Sequence, residues 1–165
     1  MTALVSILVF LCAEAGPIDV DGVPFYRQDT NLCGPAALSS VLAYHGLIVD
    51  QQTIADAVYT DKLRGSLITD LENYAKSRGF GTRLAQGSMG DIVEALRHKM
   101  PVIVLVDMGF WVFSRPHYLV VTGWSDRGVR AHTGTEADRM FSREEFERIW
   151  ARKGSVYLLV LPPSP

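Results

Sequence analysis

The chain has 165 residues, 48% apolar and 21% charged, with a formal net charge of −2 and an isoelectric point near 6.1. These values fit one domain with a buried core and exclude a disordered or collagenous chain. They also lack the basic footprint of a nucleic-acid binder, and two cysteines, Cys12 and Cys33, cannot build a disulfide framework.

The first feature is an uncharged apolar run, Ala3 to Ala13, broken only by Ser6. It is too short to span a bilayer, which takes about 20 residues. It suits the core of a secretory signal, and Ala13-Glu14-Ala15 offers a small-x-small cleavage site, although no Lys or Arg precedes the run. The expected organisation is a signal peptide over 1–15 and one domain over 16–165. The alternatives are a buried N-terminal strand and, behind it, a lipid anchor at Cys12. Export implies a periplasmic or extracellular protein, with no stable membrane span after cleavage and membrane anchoring if the segment is retained.

Cleavage after Ala15 leaves Cys33 as the lone thiol. Asp29-Thr30-Asn31 has turn preference, and the Ala/Leu/Val run after Cys33 reads as a helix ending near Gly46, with Pro35 in its first turn. Cys33 therefore stands at a helix start, where unpaired N–H groups and the dipole favour a thiolate. Further helices are expected over Gln51–Val58, Ser66–Arg78 and Ser88–His98, with short strands at Gly81–Leu84 and Pro101–Val106. Pro116 and Gly123 bound a strand that His117 opens. Ser125-Asp126-Arg127-Gly128 turns into Val129–Thr133, Ser142 caps a helix to about Ala151, and Ser155–Leu161 closes the chain as a strand. Helices first and mostly antiparallel strands afterwards give an α+β class.

A thiolate nucleophile needs a base. His45 and His98 lie at helix ends, where structural roles are usual. His117, at the mouth of a strand, is the candidate. No CxxC, HExxH or Gly-rich phosphate loop is present, so neither metal nor cofactor is expected.

The elements Gln28-x4-Cys33-Gly34-Pro35-Ala36-Ala37 and Pro116-His117-Tyr118-Leu119-Val120-Val121 resemble those of the bacteriocin-processing, double-glycine peptidases, which are papain-like cysteine peptidases. The resemblance runs from about Val23 to Pro163. It implies a nucleophilic Cys33, a base at His117, Gln28 as oxyanion donor, and a peptide or protein substrate; the oligomeric state is not readable. In that family an Asp about sixteen residues after the histidine orients the base. Here Thr133 stands at that place, with His132 beside it as a second candidate and Asp126 as a third, although a turn position suits Asp126 to local hydrogen bonding. Two functions follow: a thiol peptidase, or a papain-like domain that binds an extended peptide without cleaving it.

Overall fold

The helices that end at Tyr44, Ser77 and Ala151 are each followed by a glycine at positive φ. A computed structural model describes residues 16–110 and 112–163. The apolar run read as a signal, with its alternatives of a first strand or a lipid anchor, lies outside the described residues. After strand β1 (Ile18–Asp19), helix α1 spans Cys33–Tyr44 and gives way to Gly46 at φ +90°. Helix α2 (Gln51–Val58) begins where the Asp50 carboxylate accepts the Gln52 N–H at 2.7 Å. A two-residue hairpin follows, β2 (Tyr59–Thr60) with β3 (Gly65–Ser66). Helix α3 therefore starts at Ile68 rather than at Ser66, and runs to Ser77.

The second half is strand-rich. It comprises β4 (Gly81–Gln86), α4 (Met89–Arg97), β5 (Val102–Asp107), β6 (Pro116–Ser125), β7 (Gly128–His132), β8 (Arg139–Phe141), α5 (Arg143–Ala151) and β9 (Val156–Leu161). Ser88 and Asp91 form a capping box at α4, and the Ser142 hydroxyl accepts the Glu145 N–H at α5. Seven strands make one antiparallel sheet in the order β4-β9-β5-β6-β7-β8, with β1 beside the far end of β6.

Strand periodicity divides the core. Val102, Val104, Val106, Leu119, Val121, Tyr157 and Leu159 face α4 and α5. Ile103, Tyr118, Val120, Leu158 and Val160 face α1, α2 and α3. The expected α+β class holds, with the sheet between two helical layers. Helix α1 is buried from Gly34 to Leu42, because sheet, α2 and α3 surround it. Truncating Leu38 or Leu42, both fully buried, to Ala costs about 2–5 kcal/mol. No helix among the described residues is long and apolar enough to cross a membrane.

Candidate active site

Helix α1 begins without a side-chain cap: its N-cap is Leu32. The preceding turn closes through Leu32 N–H to the Asp29 carbonyl at 3.1 Å, with Asn31 at φ 63°, a conformation Asn tolerates. First-turn donors that a Ser or Asp cap would take are thus left for the sulfur. The main-chain N–H groups of Cys33 and Gly34 both act on it. So does the N–H of Tyr118 on β6. Gly34 permits that approach, since a Cβ there would meet the Tyr118 ring at 3.2 Å and Leu71 Cδ1 at 3.2 Å.

The thiol nevertheless does not behave as the helix start alone predicts. Burial pushes the Cys33 thiol up from its ordinary value and outweighs the three N–H groups and the Arg115 charge, all of which pull it down. The sequence shows the helix N-terminus but not the depth at which it is set.

His117 sits where β7 leaves the ladder. Pairing of β6 with β7 ends at Val120–His132, which frees the β6 edge beside residues 117 and 118. The His117 Nε2 lies 2.6 Å from the Thr133 main-chain carbonyl. A carbonyl only accepts, so Nε2 carries the proton and the neutral ring keeps its lone pair on Nδ1. Burial lowers the His117 pKa, with Arg115 adding to the effect and the Thr133 carbonyl opposing it.

The first two residues considered for orienting the base are used differently. Thr133 meets His117 through its carbonyl, while its hydroxyl accepts the Glu136 N–H at 3.0 Å and ties the turn that follows. His132 is buried at 5% exposure, with Nε2 3.1 Å from the Val23 carbonyl and Nδ1 accepting the Asp138 N–H at 3.2 Å. Both His132 ring nitrogens are therefore engaged away from His117.

Gln28 is held on three sides. Its N–H donates to the Gly134 carbonyl at 2.7 Å, next to Thr133. The Gln51 amide clasps both neighbours, donating to the Arg27 carbonyl at 3.0 Å and accepting the Asp29 N–H at 3.2 Å. The Gln28 side chain packs on Gly134, which has φ +78° and where any Cβ would collide with Oε1. Oε1 is buried without a partner, and Nε2 makes no hydrogen bond among the described residues, so its donors are uncommitted.

One contributor was not apparent in the sequence. Asp107, at the end of β5, accepts the N–H groups of Gly109 and Arg115 and the Ser114 hydroxyl, each at 2.8 Å. These bonds and nearby Lys153 hold its carboxyl down at about 2. Asp107 thereby fixes the loop that delivers His117, two residues beyond Arg115. Its signal was a lone carboxylate ending an apolar strand, but its donors are main-chain groups without residue identity. His45 is half-buried between Tyr44 and Phe80, and exposed His98 pairs with Glu94 at 3.0 Å. Among the described residues no group of three or more His, Cys, Asp or Glu side chains could hold a metal ion.

The model of the peptidase C39 family matches residues 23–164. The peptidase domain of Streptococcus ComA, a bifunctional ABC transporter of a quorum-sensing pathway, is similar at 25% identity and TM-score 0.70, over 83% of this chain and 96% of that one. A putative C39-like peptidase from Bacillus anthracis superposes at 18% identity and TM-score 0.74, covering 92% and 100% of the two chains. A double-glycine-motif protease from an AMS/PCAT transporter, solved with its leader peptide, gives 20% identity and TM-score 0.71, over 90% and 99%. No curated protein sequence matches the chain.

Proposed function

The chain belongs to the peptidase C39 family and is a papain-like cysteine peptidase, and from that premise we propose the residues that perform its chemistry. Cys33 is the nucleophile and His117 the general base. The observation that carries this reading is the free edge of β6, where His117 is anchored through Nε2 to the Thr133 carbonyl and the main chain of the next residue, Tyr118, acts on the Cys33 thiol.

A raised thiol and a lowered imidazole favour a neutral resting pair. Attack is then concerted with proton transfer. His117 Nδ1 takes the thiol proton as Sγ bonds to the substrate carbonyl carbon, and the protonated ring returns it to the leaving amine. The oxyanion forms beside the Cys33 N–H and the Gln28 Nε2, whose lack of any other partner supports this role. One such donor is worth about 2.7–4 kcal/mol of barrier. Water then hydrolyses the thioester. Thr133 positions the base through its main chain.

The substrate we infer is an extended peptide, with double-glycine leaders the first class to try, because a similar domain was solved with its leader peptide. Export through residues 1–15 is part of the same proposal; N-terminal sequencing of secreted protein should begin at Gly16. Incubation with a double-glycine leader peptide should give a single scission that Cys33→Ala and His117→Ala each abolish. Peptide binding without cleavage by the unaltered protein would replace this reading with that of a peptide-binding domain.

A further inference from the structure

The loop between β5 and β6 carries a conspicuous apolar tip. Phe110, Val112 and Phe113 are 84%, 77% and 78% exposed within four positions. Isolated exposed apolar side chains are ordinary, but three together at a loop tip are not.

The loop beneath the tip is built rather than loose. Asp107 gathers Gly109, Ser114 and Arg115, the Met108 N–H donates to the Arg115 carbonyl at 2.9 Å, and the Phe113 N–H donates to the Phe110 carbonyl at 3.1 Å. At Gly109 any Cβ would collide with the Phe113 carbonyl oxygen. Cations from a second element complete the base. Arg152 donates to the Gly109 carbonyl at 3.2 Å, and Lys153 donates to the Ser114 hydroxyl at 2.8 Å. Lys153 also pairs with Asp107 at 3.7 Å, whereas exposed Arg115 has no ion-pair partner among the described residues.

We propose that this loop docks the protein on an anionic lipid surface, with Phe110, Val112 and Phe113 entering the interface and the exposed Arg115 and Arg152 meeting the headgroups. Three features select a bilayer over other occupants. Side chains about four-fifths exposed project outward, whereas those lining a peptide groove are partly covered by its walls. The tip offers roughly 400–500 Å² of apolar surface by the usual size of such side chains, short of the roughly 800 Å² per partner of a stable dimer. A fluid interface has no such minimum, and each cation near an anionic leaflet strengthens the attraction. The tip lies only a few residues before His117 in the chain. The proposal does not depend on which peptide is cleaved.

The test is co-sedimentation of the full chain with vesicles of phosphatidylcholine containing phosphatidylglycerol, and with phosphatidylcholine alone. Binding should favour the anionic vesicles and weaken as salt is raised. Phe110→Ser with Phe113→Ser should reduce it about tenfold or more, since two anchoring side chains leave the interface. Circular dichroism melts should not change, because both rings are exposed. Absence of binding by the unaltered protein overturns the proposal. Equal binding by the double variant also overturns it, and assigns the attraction to another segment such as the apolar run Ala3–Ala13. A variant that keeps vesicle binding but loses peptide turnover makes the tip a peptide contact instead, and equally overturns docking.

Discussion

Replacing Asp107 tests whether the loop before His117 is held from a distance. In Asp107→Ala, the Gly109 and Arg115 N–H groups and the Ser114 hydroxyl all lose their acceptor, and Lys153 loses its nearest carboxylate. A carboxyl lowered from 3.8 to about 2 corresponds to about 2 kcal/mol at neutral pH, reduced to about 1–2 kcal/mol by solvent screening at a surface loop. Asp107→Asn keeps an oxygen for the two main-chain donors but presents an NH₂ toward Lys153, so it should cost less, about 1 kcal/mol. The folded-state pKa is depressed, so this stability is present above the ordinary value of 3.8 and is lost as pH falls toward 2. Denaturant unfolding between pH 2 and 7 should show that acid-side loss in the unaltered protein and a flatter profile in Asp107→Asn. Misplacement of His117 by about 1 Å would lower kcat/KM by up to about a hundredfold in Asp107→Ala. Full activity and unchanged stability in Asp107→Ala would refute the positioning argument.

Iodoacetamide should alkylate Cys33 slowly at pH 6 and faster as pH rises past the ordinary thiol range, since burial holds the proton on; faster reaction than a free thiol at pH 6 would mean a resting ion pair after all. Because His117 is pushed below the usual histidine value, its base form persists into acid, and the acidic limb of kcat/KM against pH should fall below 6.5; a limb above 6.5 contradicts this. Thr133→Val keeps the carbonyl that meets His117 but removes the hydroxyl that binds Glu136 N–H, so the loss should be about 1 kcal/mol of stability and only a few-fold in rate. Gly134→Ala meets both a positive φ and the Gln28 side chain, so kcat should fall with little change in KM; normal kcat would detach Gln28 from oxyanion binding.

The longer elements were legible because period and punctuation agree. Pro101 and Asp107 bracket a strand, Pro116 opens the next, and Gly46 and Gly79 follow helices. The pieces that periodicity misses are very short: β2 and β3 have two residues each and β8 has three. Such strands arise from pairing, as Tyr59 with Ser66, and two residues carry no alternation to read. Cys33, His117 and Gln28 stood out as side chains with chemistry. What holds them is mostly main chain: the Tyr118 N–H on the sulfur, the Thr133 carbonyl on the imidazole, the Gly134 carbonyl on the Gln28 N–H. Those groups occur at nearly every residue, so no pattern of residue types announces them.

This dependence on main-chain groups bears on how the proposed base is held, since among the described residues His117 Nε2 meets the Thr133 carbonyl rather than a carboxylate. A carboxylate about 4 Å from an imidazolium contributes about 4 kcal/mol at an effective dielectric near 20, and that attraction would favour a resting ion pair. The Thr133 carbonyl brings a dipole, which fixes the ring and its tautomer but supplies little of that energy. Burial then prevails at both partners, raising the thiol and lowering the imidazole. On the proposed roles of Cys33 and His117 the consequence is kinetic: the proton would cross during attack, so the rate would rest on how His117 is positioned. Each support around the site serves that requirement. Gly34 lets α1 press against Tyr118, the Gln51 clasp fixes the strand of chain carrying Gln28, and Asp107 fixes the approach to His117. If His117 is the base as proposed, rigidity of the surrounding main chain would take over the part that a charge plays.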